Sequence, residues 1–208
     1  TLSQKVLSGS DLGLPIFSEQ RAAFVPQNMD EYLAELGVPA AEARIYLAVR
    51  ELAHARLFKH SRWLREAVVS QITNYASHIE IDDERIMTAI ADTDIANPEA
   101  MRGLLESGAM LADRTEQQQA ALDAIENLLA LVEGWVNAVT HEATKLLPES
   151  NRIAEAVRRR RATGGPAELT FATLVGLEIR PRRVREATTL WLLVGQALGI
   201  EKRDSLWD

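Results

Sequence analysis

The sequence predicts a mainly α chain with a small N-terminal β element. Three observations predict it. From Pro39 onward, apolar residues recur at three- and four-residue spacing. Proline, glycine and capping residues punctuate that pattern at helix-like intervals. Nowhere do strands alternate with helices as a parallel sheet requires. The 208 residues read as one domain, with 1–37 as its irregular or β part and 38–208 as its helical part.

The elements follow in order. Gly9, Gly13 and Pro15 break the first segment, and Arg21 to Val25 reads as a short strand stopped by Pro26. Asp30 to Leu36 reads as a short helix, capped by Asn28 or Asp30 and ended by Gly37. Pro39 suits a first helical turn. Ile45, Ala48, Val49, Leu52 and Ala53 then mark an amphipathic helix to about Lys59. Further helices are expected from Arg62 to Ile79, from the acids at Asp82 to Glu84 to Ala91, and briefly after Asn97-Pro98. Thr115 with Gln118 forms a capping box. The long helix behind it runs to about Lys145, with Leu122, Ile125, Leu128, Leu129, Val132 and Val136 on its apolar face. Ser150 opens a helix carrying Arg158 to Arg161, and Gly164-Gly165-Pro166 breaks the chain. Ala167 to Leu177 and Pro181 to Leu198 read as the last helices, with Gly199 as the stop.

Composition narrows the function classes. There are no cysteines, which excludes disulfides, zinc thiolate sites and thiol nucleophiles. A reducing cytoplasm is the expected compartment. Residues 1–17 lack the continuous apolar core of a signal peptide, and no stretch approaches a membrane span. A start on Thr1 and a stop just after Trp207 are what a chain cut short at both ends would show. The net charge of −7 argues against general nucleic-acid binding. The charge is uneven, with nine arginines against four acids between Asn151 and Trp191. The run Arg158 to Arg161 points all round a helix and so forms no flat patch; a solvated or acid-paired helix is the reading. Trp63, Trp191 and Trp207 read as core or interface anchors. No glycine-rich phosphate loop follows a strand.

The segment that carries chemistry is Val49-Arg-Glu-Leu-Ala-His54. On a helix, Arg50, Glu51 and His54 sit at neighbouring positions, flanked by the apolar Leu47 and Phe58. Such groups need polar partners when buried, and another helix is the expected source. With histidine at position 50, this would be the HExxH helix of zinc metallopeptidases, where two histidines one turn apart bind the metal and the glutamate activates water. Arginine has only donors and stays protonated, so Arg50 cannot ligate zinc.

The surroundings of that motif carry a resemblance. Arg50-Glu51-Leu52-Ala53-His54-Ala55-Arg56-Leu57-Phe58, followed by Trp63-Leu64-Arg65, resembles the signature helix of bacterial, actinobacterial-type zincin-like metallopeptidases. That grouping includes hydrolases and deazaflavin-cofactor biosynthesis-associated proteins. Val6 to Gly9, Phe24 to Asn28, Leu131-Val132-Glu133-Gly134-Trp135, Arg158 to Glu168, Gly176 to Glu178 and Arg180 to Arg183 extend it over nearly the whole chain. The resemblance implies a zincin-like arrangement of the motif helix against the Glu133 helix, and a peptidase-like activity. It makes His54 the second motif histidine, Glu51 the general base, Glu133 a metal ligand on a second helix, and zinc the cofactor. Two positions depart from the pattern: Arg50 stands at the first ligand, and Trp135 replaces the histidine of a Glu-Gly-His segment.

Two readings stay open here. One is a metal-dependent hydrolase using His54, Glu133 and an unidentified third ligand, with Glu51 as base. His60, six residues after His54, is one candidate for that ligand; His78 and His141 read as surface or helix-end residues. The other is a non-catalytic descendant serving as a binding or scaffold protein, for a peptide or small molecule. In it Arg50 brings the cation from the chain itself by pairing with Glu133 or Glu51, and Trp135 fills the space beside it. Glu51 and His54 would then be a buried polar pair holding two helices together. A third option is an arginine-lined pocket for a small anion. Partner and oligomeric state are not encoded legibly.

Overall fold

The computed structural model describes residues 4–14, 21–79, 83–91, 97, 99–100, 103, 114–162, 172, 179 and 182–208. The expected helix from Ala167 to Leu177 and most of the one after Asn97-Pro98 lie outside those residues.

The described chain is mainly helical. Helix α1 spans Pro26–Leu36, starting earlier than Asp30. Pro26 suits the first turn because its missing N–H would be unpaired there anyway. Gly37 ends α1 with φ 62°, a left-handed conformation that glycine adopts without steric cost. Helix α2 spans Ala40–His60 and α3 Arg62–Ser77, separated only by the non-helical Ser61. Helix α4 is Asp83–Ala91. The long helix α5, Glu116–Thr144, opens on the expected capping box: Gln118 N donates to Thr115 Oγ1 at 3.1 Å, and Thr115 N donates to Gln118 Oε1 at 2.9 Å. Helix α6 is Ser150–Ala162, and α7 is Val184–Leu198. Gly199, at φ 87°, stops α7 before a short α8, Ile200–Asp204, and a final 3₁₀ turn, Ser205–Trp207.

The expected N-terminal strand is reduced to a single antiparallel bridge between Ser8 and Phe24. Gly9 N donates to Ala23 O and Val25 N to Leu7 O, both at 2.9 Å. Pro26 starts a helix directly after this pair, so no ladder grows past Val25. Among the described residues no strand extends beyond this bridge.

Helix α5 is the hub, packed against α7, α3 and α2. Three apolar clusters make up the core, two of them built on α5. One joins Val68 and Tyr75 of α3 to Leu122, Ile125 and Leu129 of α5, under Leu12 and Leu14 of the N-terminal segment. A second joins Ala53, Leu57 and Phe58 of α2 to Val132, Trp135 and Val136 of α5, Trp191 of α7 and Trp207. The third joins Met29 and Leu33 of α1 to Tyr46 and Leu47 of α2 and Ile153 and Val157 of α6. Each fully buried large side chain contributes about 1.5–3 kcal/mol of transfer free energy. Helix α2 thus feeds two clusters, and Arg50 and Glu51 fall between its two contributions.

The tryptophans anchor the C-terminal end. Trp207 stacks on Trp191 at 5.0 Å and on Trp63 at 6.3 Å between ring centroids. Trp63 Nε1 donates to Trp207 O at 2.8 Å, and Trp191 Nε1 donates to Leu131 O at 2.9 Å. No helix among the described residues is long and apolar enough to cross a membrane.

Candidate functional site

Arg50 and His54 are one turn apart on α2, so both side chains reach the same neighbour. That neighbour is Glu133, midway along α5. Arg50 Nη2 donates to Glu133 Oε2 in a buried ion pair. His54 Nε2 lies 2.9 Å from Glu133 Oε1. That is an ion-pair distance, but neither ring nitrogen of His54 has an aligned hydrogen-bond partner. The imidazole also stacks on Phe58, one turn further along.

A third group completes the cluster. Arg161, from the last turn of α6, donates from Nη2 to Glu133 Oε1 at 2.8 Å and from Nη1 to Asp11 O at 3.0 Å. Glu133 therefore holds a guanidinium at each carboxylate oxygen. All this happens away from water: Glu133 is 1 % exposed, His54 2 % and Arg50 6 %. Burial alone would push the Glu133 carboxyl up. The charges of Arg161 and Arg50, helped by His54, outweigh it and hold Glu133 well below its ordinary value of 4.5. Burial pulls Arg50 down, and Glu133 more than restores it, leaving Arg50 raised and firmly charged. Arg50 Nη1 also donates to Asn137 Oδ1 at 2.6 Å, and Asn137 Nδ2 donates on to Thr188 Oγ1 at 3.3 Å. One polar chain thus ties α2, α5 and α7 together.

Glu51 faces elsewhere. One position round the helix from Arg50, its Oε2 accepts from Ser10 N at 3.2 Å and from the Ser10 hydroxyl, and its Oε1 accepts from Ala23 N at 3.2 Å. The carboxylate binds the two N-terminal stretches that the Ser8–Phe24 bridge brings together. Asp11 secures the same segment, its Oδ2 accepting from Leu7 N at 2.9 Å and from Arg160 Nη2 at 3.3 Å. Gly13 then passes directly over the cluster. A Cβ there would stand 3.1 Å from Arg161 Nη2 and 3.3 Å from Glu133 Oε1, and its φ of 71° also calls for glycine.

Trp135 does not fill the space beside Arg50. Two residues on from Glu133, it points about 200° round the helix. Its indole Nε1 donates to Asp204 Oδ1 at 2.8 Å, with the Arg203 guanidinium 6.0 Å from its ring. His60 and His141 are exposed, and His78 Nδ1 lies 2.8 Å from Asn74 O at the end of α3. None of the three joins the cluster.

The arginine run divides by direction. Arg158 and Arg159 pair outward with Glu155, while Arg160 and Arg161 turn inward to Asp11 and Glu133. Sequence reasoning missed Arg161, Asn137, Ser10 and Asp11 as site residues. The only signal for Arg161 was the local arginine excess beside a carboxylate-rich remainder.

The family model for zincin-like metallopeptidases matches residues 1–208, and the chain belongs to that family. No curated protein and no solved structure matches it. The family name implies zinc, and the residues at the site do not fit it. A catalytic zinc needs three protein ligands and an open position. Here His54 and Glu133 come together, but the other two charged groups paired with Glu133, Arg50 and Arg161, are guanidinium groups, which only donate. Among the described residues no group of three or more metal-ligating side chains converges.

Proposed function

We propose that this member of the zincin-like metallopeptidase family is a non-catalytic binding protein, built on an altered metal site. The observation that carries the proposal is the pairing of both Glu133 oxygens with Arg50 and Arg161. The charge a metal would bring is supplied by the chain itself. Arg50 stands where the motif requires a ligand, and Arg161 takes the other side of the carboxylate that would have been a second one. A buried carboxylate facing two guanidinium groups is neutralised without a metal, and an incoming zinc ion would have to displace them.

The general-base position supports the same reading. Glu51 spends its lone pairs on Ser10 and Ala23. A base must reach the proton it removes, and this carboxylate is turned to fastening the N-terminal segment. Its role is positioning: it holds that segment over the cluster. The residues 1–208 then act as one domain, whose N-terminal part closes the site that the helical part builds.

Family membership favours a second reading, zinc-dependent hydrolysis with His54 and Glu133 as ligands and Glu51 as base. It requires Arg50 and Arg161 to leave Glu133 and a third ligand to arrive. The discriminating experiment is a peptide-hydrolysis screen on the untagged chain with added zinc, run beside Glu51→Gln. The proposal expects no cleavage above the variant's background. Turnover that depends on Glu51 and disappears with chelator would establish the hydrolase instead.

A further inference from the structure

Beside the Glu133 cluster, a cavity of about 30 Å³ lies between the N-terminal segment, α1, α2 and α6. Its lining is part apolar and part polar, and the polar part includes Arg50, Arg160, Arg161, Asp11, Glu51 and Tyr32. Three guanidinium groups thus line it with two carboxylates, and Glu133, which pairs with Arg50 and Arg161, lies just behind them.

The hydrogen-bonding balance is uneven. Both carboxylates are already engaged: Glu51 by Ser10 and Ala23, Asp11 by Leu7 N and Arg160. Each guanidinium carries five N–H donors. Arg50 directs only Nη1 and Nη2 at Asn137 and Glu133, and Arg161 only Nη1 and Nη2 at Asp11 and Glu133. Tyr32 adds a buried hydroxyl with no hydrogen-bond partner. Burial raises its pKa, so that hydroxyl keeps its proton to donate. Its ring is held by the Arg160 guanidinium, 5.0 Å from the centroid. The lining is rich in donors and poor in open acceptors. A buried unpaired donor costs free energy, and a ligand that only accepts gives Tyr32 its partner, its negative charge strengthening the bonds that the guanidinium N–H groups donate.

We infer that this cavity is a binding site for a small monoanion of carboxylate type, recognised by Tyr32 together with Arg50 and Arg161. The inference rests on the reading of the chain as a binding protein and names what its site would take. Size sets the class. A water needs about 10–15 Å³ on this measure, so the cavity has room for roughly two waters, or one formate-sized anion. The limit on binding energy per heavy atom puts the Kd of such a three-atom ligand at about 1 mM or weaker.

The test is calorimetric titration of the whole chain with sodium formate. EDTA is present, and ionic strength is held constant with gluconate, which is too large to enter. The expected result is saturation at one equivalent, weakened about tenfold or more by Tyr32→Phe and unchanged by Thr189→Ala on the exposed face of α7. Tyr32→Phe keeps the ring and its shape, and a thermal melt checks that it folds. No saturable formate binding overturns the inference, and so does saturable binding that Tyr32→Phe leaves intact. Because chelator is present throughout, a metal-bound anion cannot imitate the result. Detection of zinc in the protein would defeat the proposed function without touching this one.

Discussion

Replacing Arg50 by methionine removes the guanidinium and keeps an unbranched apolar stem in its place. Glu133, at 1 % exposure, then loses the partner of its Oε2, and Asn137 Oδ1 loses its donor. Breaking one side of a buried pair costs about 3–5 kcal/mol because an uncompensated charge stays behind. Arg161 and His54 still reach Oε1, at 2.8 and 2.9 Å, so the lower end applies. For a chain of this size each kcal/mol moves Tm by about 2–4 °C, so a loss of about 3 kcal/mol lowers it by roughly 6–12 °C at pH 7. The pH dependence has a defined sign. Glu133 is depressed below 4.5 in the folded protein, so its stabilising pairing is complete above that pH. It is lost as pH falls through the lower, folded value. The deficit of Arg50→Met should therefore be greatest at neutral pH and shrink progressively below pH 4.5. Circular-dichroism melts of both proteins across that range measure it. A variant melting within about 2 °C of wild type at pH 7, or a deficit that widens on acidification, would refute the pairing as described.

Gly134→Ala should destabilise the chain. A Cβ there would lie 2.6 Å from the carbonyl carbon and Cβ of Ala187 and 2.7 Å from Thr188 N, so α5 and α7 must separate. Such overpacking costs about 1–3 kcal/mol or more and exceeds the gain of about 1 kcal/mol in helix propensity; urea unfolding should show a lower midpoint. Glu51→Gln should loosen the N-terminal segment, since an amide cannot accept at both of the oxygens that Ser10 and Ala23 use. The expected cost is about 1–3 kcal/mol, with faster amide exchange at Ser10 and Ala23 than at α5 residues. Uniform protection in that variant would sink the positioning role given to Glu51.

The parts of this molecule written in local chemistry were legible in its sequence. Thr115 and Gln118 cap α5 because a side chain and a backbone N–H three residues apart can only meet one way. Gly199 ends α7 as expected, at a φ that disfavours other residues. The spacing of Arg50 and His54 placed both on one face of α2, and that face meets Glu133. What needed tertiary structure was less legible. Four consecutive arginines leave every direction open, and only the docking of α6 decides that Arg160 and Arg161 turn inward. The resemblance sets Trp135 at the histidine of a Glu-Gly-His segment and so beside the site, although a two-residue step from Glu133 carries it to the opposite flank. The partners of Glu51 are mostly backbone N–H groups, which every residue except proline carries and which no sequence pattern advertises. The expected strand is only a bridge because Pro26, which ends β structure, is also a good first residue for a helix.

The central claim is that guanidinium groups stand where this family's name places a metal. Elemental analysis tests it most directly, on the untagged chain, incubated with excess zinc and then dialysed against metal-free buffer. The account predicts zinc far below one equivalent, together with no change in Tm on adding zinc. Close to one zinc per chain, with a rise in Tm that chelator reverses, would contradict it and return Glu133 and His54 to the role of metal ligands.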